Sequence, residues 1–231
     1  SCEPPYAMYN LEHTNENKIS FKLADDKEHD VSLPSTTTIQ NDRWYYVVGT
    51  YDGSKQRIYV NGVEENQIDR TITIGTNDNP VYIGAAPLSC KEFFKGVIAE
   101  VRIWNVALDQ DTIRKWMNRK LTIDHPYREH LVAHWQFDEG SGGTLRDLSG
   151  NGNHGALTYM NPAEDWVIST APLGDRSHVG MGANNLAANG EVPVDITWMD
   201  NPGENAVFAA ILFDSYPMVS RGLPPSFPPV Y

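Results

Sequence analysis

The densest run of oxygen-bearing side chains among flexible residues lies in Gly140-Ser141-Gly142-Gly143-Thr144-Leu145-Arg146-Asp147-Leu148-Ser149-Gly150-Asn151-Gly152-Asn153-His154-Gly155. Asp147, Ser149, Asn151 and Asn153 present side-chain oxygens at alternating positions, and the glycines around them let carbonyls turn inward at little steric cost. Anionic, flexible, oxygen-only donors are what a hard cation such as calcium requires. The same residues also suit a hairpin loop whose Asp and Asn side chains bond their own backbone. The opening Asp-x-Ser-x-Asn-Gly resembles an EF-hand, but position twelve is Thr158 instead of a bidentate Glu, and no helix-forming sequence precedes it. A calcium site here would be a clip between strand edges, with Asp147, Asn151 and Asn153 as ligands.

Two further acids are candidates for the same ion. Glu100 lies in the alternating stretch Gly96 to Trp104, where Val97, Ala99, Val101 and Ile103 oppose Ile98, Glu100, Arg102 and Trp104. Glu100 beside Arg102 reads as a solvated ladder, and Glu100 can alternatively reach a metal. Asp138 stands with Glu139 at a strand end, at the mouth of the glycine loop. His134, on the more polar face of Leu131 to Phe137, reads as a hydrogen-bonded surface residue.

Catalysis finds little footing. The strands carry isolated acids, with no Glu-x-Asp-x-x-Glu run of the kind that sets two carboxylates across a glycosidic bond, and no Gly-x-Ser-x-Gly elbow occurs. The chain therefore reads as a non-enzyme. Tyr45, Tyr51, Tyr59 and Trp104 are candidates for stacking on sugar rings.

The elements that would position these residues are mostly strands. Tyr6 to Leu11 and Lys18 to Leu23 flank the polar turn His13 to Asn17, and Ala24 to Gln40 reads as irregular. Trp44 to Tyr51 runs into Asp52-Gly53, Gln56 to Val60 returns to Asn61-Gly62, and another strand follows. Both dipeptides tolerate the left-handed dihedrals of type I′ turns, so a meander is expected. Val81 to Gly84 is a short strand. Asp109 is placed to N-cap the one convincing helix, Gln110 to Arg119, with Leu108, Ile113, Trp116 and Met117 as its buried stripe.

At 231 residues the chain can bury a substantial core. Its net charge of −12 argues against nucleic acid, since phosphate contacts need a basic face. No apolar run reaches the roughly eighteen residues of a membrane span. Ser1-Cys2-Glu3-Pro4-Pro5 looks like a piece cut from a longer precursor. Cys2 and Cys90 could form one disulfide, suited to an oxidising compartment, or be two unrelated thiols. Ser169 to Asp175 reads as a linker, dividing residues 1–172 from a small β module at 173–231. In that module Val192 to Met199 and Ala206 to Phe213 are strands, and Pro224 to Pro229 is an extended tail.

Taken in order, several stretches resemble the laminin-G-like, concanavalin A-like jelly rolls of the pentraxin-related branch. They are Trp44-Tyr45-Tyr46-Val47-Val48-Gly49-Thr50-Tyr51-Asp52-Gly53, Ile58-Tyr59-Val60-Asn61-Gly62, Val81-Tyr82-Ile83-Gly84-Ala85, Phe94 to Asn105, Trp135 to Gly142 and Asp147 to Asn153. The resemblance runs from about Tyr6 to Pro172. It implies an all-β antiparallel sandwich with one short helix, calcium at the glycine loop with Asp147 as main side-chain ligand, and extracellular or cell-surface duty.

Such domains bind proteins, glycans or each other. The expected role is thus a structural or adhesive module assembling with other protein chains in a surface assembly or filament, with glycan binding as the alternative. Two features depart from the family. Ala99 stands where relatives often carry Asp, and the opening strands of the jelly roll are missing. A strand donated by another chain is expected to fill the resulting gap, with a stretch of the same polypeptide ahead of Ser1, or the Val192 to Phe213 hairpin folding back, as the alternatives.

Overall fold

The computed structural model describes residues 8–25, 30–76, 78–85, 93–158 and 160–173, and beyond these the backbone of three strands, Val179–Gly182, Val194–Ile196 and Phe208–Ser215. Cys2 and Cys90, the Pro224 to Pro229 tail and most of the 173–231 segment lie outside the described residues.

One large sheet dominates. In chain order its strands are β4 (Trp44–Tyr51), β5 (Lys55–Val60), β6 (Val63–Asp69), β8 (Gly96–Trp104), β9 (Leu131–Trp135), β12 (Trp166–Ile168), β13 (Val179–Gly182) and β15 (Phe208–Ser215). They are ordered β12-β13-β8-β15-β4-β5-β6, with β9 also on β8. Against this sheet lie β1 (Tyr9–His13), β2 (Ile19–Ala24) and β3 (Asp30–Pro34) as a three-stranded piece. A four-stranded piece adds β10 (Thr144–Leu145), β11 (Gly155–Leu157), β14 (Val194–Ile196) and β7 (Val81–Ile83). All pairings between these strands are antiparallel. The expected all-β sandwich with one helix is therefore present, and the irregular stretch after Ala24 contains the strand β3.

Period-two alternation splits each central strand between two cores. Tyr45, Val47 and Tyr51 of β4 join Phe21, Leu23, Ile58, Val101, Trp135 and Leu145 in the core between the sheets. Tyr46 and Val48 point the other way, to a second core with Tyr59, Trp104, Leu108, Ile113 and Leu131. Gly49 is where the sheets come closest: a β-carbon there would collide with the Phe21 ring.

The hairpins differ from one another. Val60 pairs Val63 across Asn61-Gly62, both left-handed at φ 50° and 76°, which is the expected tight turn. At Asp52-Gly53 only Gly53 is left-handed, and the connection is longer. There the Asp52 carboxylate accepts the Ser54 and Lys55 N–H groups at 2.9 and 2.8 Å. A side-chain cap replaces the type I′ geometry.

The segment after Trp166 does not hang off the sandwich. Ala171 and Leu173 are buried in the second core, and Trp44 Nε1 donates to Thr170 Oγ1 at 2.9 Å. Residues 169–173, read from sequence as a linker, are thus packed. Val194–Ile196 and Phe208–Ser215 do not pair with each other. The first lies between β11 and β7, and the second between β8 and β4 with ladders on both flanks. The central slot, where a strand from another chain is expected, holds the chain's own segment instead. The unbroken apolar run Phe208 to Phe213 suits a strand covered on both faces.

Candidate functional site

The face of the large sheet turned away from the sandwich core is roofed by the segment after β8. Asp109 caps helix α1 (Gln110–Trp116), accepting the Thr112 N–H at 2.8 Å, and Ile113 and Trp116 are buried beneath it. The cap is as expected; the helix stops three residues short of Arg119. Beneath this roof sits a buried polar cluster.

Glu100 and Arg102 are 0% and 1% exposed. The expected solvated ladder is instead an internal ion pair. Arg102 Nε donates to Glu100 Oε1 at 2.8 Å with Nη2 2.7 Å from the same oxygen, and His134 Nε2 meets it at 2.7 Å. Arg102 also donates to the carbonyls of Trp116 at 3.0 Å and Arg119 at 2.6 Å, closing the C-terminal end of the helix. Tyr46 completes the set through its bond with the guanidinium. His134, at 3% exposure, is a buried partner and not a surface residue. Burial alone would raise the Glu100 carboxyl, but the Arg102 charge and the His134 bond outweigh it and hold it below the usual range. Arg102 is correspondingly pushed up by Glu100 against the opposing effect of burial.

The faces are set by a bulge. Across β15, Leu212 pairs Glu100 and Phe213 pairs Ile98, so Ala99 is skipped. Ile98 and Val101 then share the inner core while Ala99 joins Trp104 outside. This places Glu100 and Arg102 together under the helix.

The glycine loop is built around Asp147. Its Oδ1 accepts the N–H groups of His134 and Ser149, both at 2.9 Å. Its Oδ2 accepts Ser149 Oγ–H at 2.7 Å and the Asn153 N–H at 2.9 Å. Asn151 Nδ2 donates to the carbonyls of Leu131 and Val132, and Asn153 Nδ2 to that of Val132. Trp135 Nε1 donates to the Asn153 carbonyl at 2.8 Å. Asp147 and Asn153 are buried at this junction, which ties the loop to β9.

A calcium ion does not fit this donor set, because all four acceptor directions of Asp147 are taken by N–H and O–H groups of the chain. Glu100 reaches the loop only through His134, whose ring meets Glu100 while its backbone N–H meets Asp147. Asp138 is exposed. Among the described residues no group of three His, Cys, Asp or Glu side chains could hold a metal ion.

The aromatic candidates are interior. Tyr51 and Trp104 are each 1% exposed, and Tyr59 is 4%. Tyr51 Oη is fixed to Ile72, donating to its carbonyl at 2.9 Å and accepting its N–H at 2.8 Å. The Trp104 face is covered by His125, stacked at a centroid distance of 4.4 Å. Tyr45 is buried as well. These rings are corrected from ligand platforms to core.

Sequence reasoning missed a cavity of about 440 Å³ at the end of α1. It is lined by Lys115, Trp116, Asn118, Arg119, Lys120, Thr122, Asp124 and Leu173. A signal for it exists: residues 112–123 carry four cations and no acid in a chain whose net charge is −12.

The family model for the concanavalin A-like lectin/glucanases superfamily matches residues 3–114. No curated protein and no solved structure matches the chain.

Proposed function

We propose that this chain, whose residues 3–114 match the concanavalin A-like lectin/glucanases superfamily, is a non-catalytic structural module that assembles with other protein chains outside the cell. The observation that carries this reading is the roofed sheet. The face beside which this scaffold could expose an acid pair is covered by α1 and residues 169–173. The acid beneath it among the described residues, Glu100, is ion-paired with Arg102 and hydrogen-bonded to His134. Hydrolysis of a glycosidic bond needs two carboxylates about 5–10 Å apart with a free path to substrate. Glu100 has no such path.

Glycan binding through aromatic stacking is disfavoured by the same architecture, since Tyr51, Tyr59 and Trp104 are buried. Among the described residues no helix is long and apolar enough to cross a membrane.

Assembly is tested by light scattering coupled to size exclusion, and by native mass spectrometry, on the chain alone and mixed with the extracellular proteins of its source. A defined complex with a protein partner is expected, together with no specific signal on a glycan array. Specific glycan binding with no protein complex would overturn the assignment.

A further inference from the structure

Several cations of the described chain are matched to nearby acids. Lys18 faces Glu16, Lys22 faces Glu12 and Asp30, Lys55 faces Asp69, Arg57 faces Asp52, and Arg102 faces Glu100. Arg114 Nε is spent on the Gly62 carbonyl at 2.7 Å. Lys115 and Arg119, like Arg43 and Lys95, are exposed with no acidic ion pair among the described residues, but only Lys115 and Arg119 of these four share a cavity. They flank the cavity at the end of α1, with Lys120 on the same rim and Asp124 its only acid. The floor is apolar, formed by Trp116 and Leu173, which are 6% and 1% exposed.

We propose that this cavity is the docking site for an acidic peptide segment of a protein partner. The inference rests on the assembly reading above and names the surface that serves it. The site's chemistry has three parts. Lys115 and Arg119 offer unspent charge to carboxylates, and Arg119 can engage one bidentately. Asn118 and Thr122 on the rim add neutral hydrogen-bonding groups. The indole and leucine floor takes the methylene stems of Asp or Glu side chains, which is the usual division between an apolar floor and a polar rim.

Position supports the same conclusion. Arg102 already satisfies the carbonyls of Trp116 and Arg119, so two acceptors near the helix end that would repel an anion are covered. With 30 acids against 18 lysines and arginines, the rest of the chain repels acidic partners, so such a partner is steered toward this patch.

The test uses fluorescence polarisation with a labelled octapeptide of alternating Asp and Glu, the same length of Lys as control, and a sulfated disaccharide as competitor. The acidic octapeptide should bind the full chain and tighten several-fold as NaCl falls from about 300 to about 50 mM. The double variant Lys115→Glu, Arg119→Glu should weaken it at least tenfold. The pair Lys18→Glu, Lys55→Glu changes net charge equally at sites far from the cavity in sequence, and should weaken it less than twofold. Both variants alter exposed or half-exposed side chains, and an unchanged melting temperature checks that they fold.

Equal loss in the two double variants, or no acidic-peptide binding at all, would overturn the proposal. Binding confined to the sulfated disaccharide would also overturn it, in favour of an acidic saccharide. Protein complexes that persist in Lys115→Glu, Arg119→Glu would sink this docking site while leaving the assembly reading intact. Absence of complexes in the unaltered chain would sink both.

Discussion

Acidification should destabilise this protein through His125 before most of its carboxylates titrate. The ring is buried at 3% exposure, stacked on Trp104 and tilted against Trp116 at 4.8 Å. Its Nδ1 accepts the Tyr127 N–H at 3.2 Å, which leaves the single proton on Nε2. A second proton would remove that acceptor and place a charge in an apolar stack, near Arg102, Arg128 and Lys115. Burial, and then these three cations, lower the pKa from 6.5 to about 4. The folded state thus refuses a proton that the unfolded chain takes up. Stability from this group is complete above about pH 6.5 and is lost as pH falls from there toward 4. The full effect is about 3 kcal/mol, of which about 2 is gone by pH 5.

Urea unfolding at pH 7.5, 6 and 5 measures the loss, and the upper part of this range lies above the carboxylate titrations. His125→Phe keeps a ring over Trp104 and removes the titration, so its stability should change little across the same range. His13, lowered by burial in the same direction, is replaced by Asn in both backgrounds so that it cancels. Superimposable pH profiles for the His125→Phe variant and its parent would refute the reasoning.

Three further outcomes follow from the same geometry. Gly49→Ala drives a β-carbon into the Phe21 ring and should cost about 1–3 kcal/mol in chemical denaturation. Asp147→Ala strands the buried N–H groups of His134 and Asn153 and should cost about 3 kcal/mol or more, equally in calcium and in chelator; calcium should not raise the melting temperature of the unaltered protein, and a calcium-dependent rise that Asp147→Ala abolishes would reinstate a metal role. Ile211→Pro removes a ladder bond from a strand paired on both sides and should destabilise by about 3 kcal/mol or more; a neutral effect in thermal unfolding would show that the slot between β4 and β8 is not held by this strand.

Most of the sandwich was legible because a half-buried strand carries its own pattern. Alternation in Trp44 to Tyr51 and the Asn61-Gly62 pair determine face and turn without outside information. Asp109 three residues before Thr112 is equally local. What could not be read depends on partners distant in sequence. Residues 169–173 are polar and proline-containing, which is a linker's composition, yet alternate positions Ala171 and Leu173 fill a core whose other walls come from β4, β8 and α1. The tail strands Val194–Ile196 and Phe208–Ser215 look like a hairpin because they are neighbours along the chain. Their hydrogen-bonding partners are β7, β11, β4 and β8, and nothing local distinguishes that outcome.

The site misreadings share one physical origin. Glu and Arg two residues apart on a strand share a face whether that face meets water or another element. The spacing specifies the pair and leaves its dielectric open. What decides here is the short helix that follows β8. A helix end leaves carbonyls without donors, and a buried guanidinium needs more acceptors than one carboxylate oxygen supplies. Arg102 meets both needs by reaching Trp116 and Arg119. Breaking a buried pair by removing one partner costs about 3–5 kcal/mol, because the remaining charge is uncompensated. Glu100 and Arg102 therefore cannot be separated to open this face without also freeing the end of α1. The same coupling leaves Lys115 and Arg119 outward: the internal arginine takes the Trp116 and Arg119 carbonyls, and the external cations remain for something else.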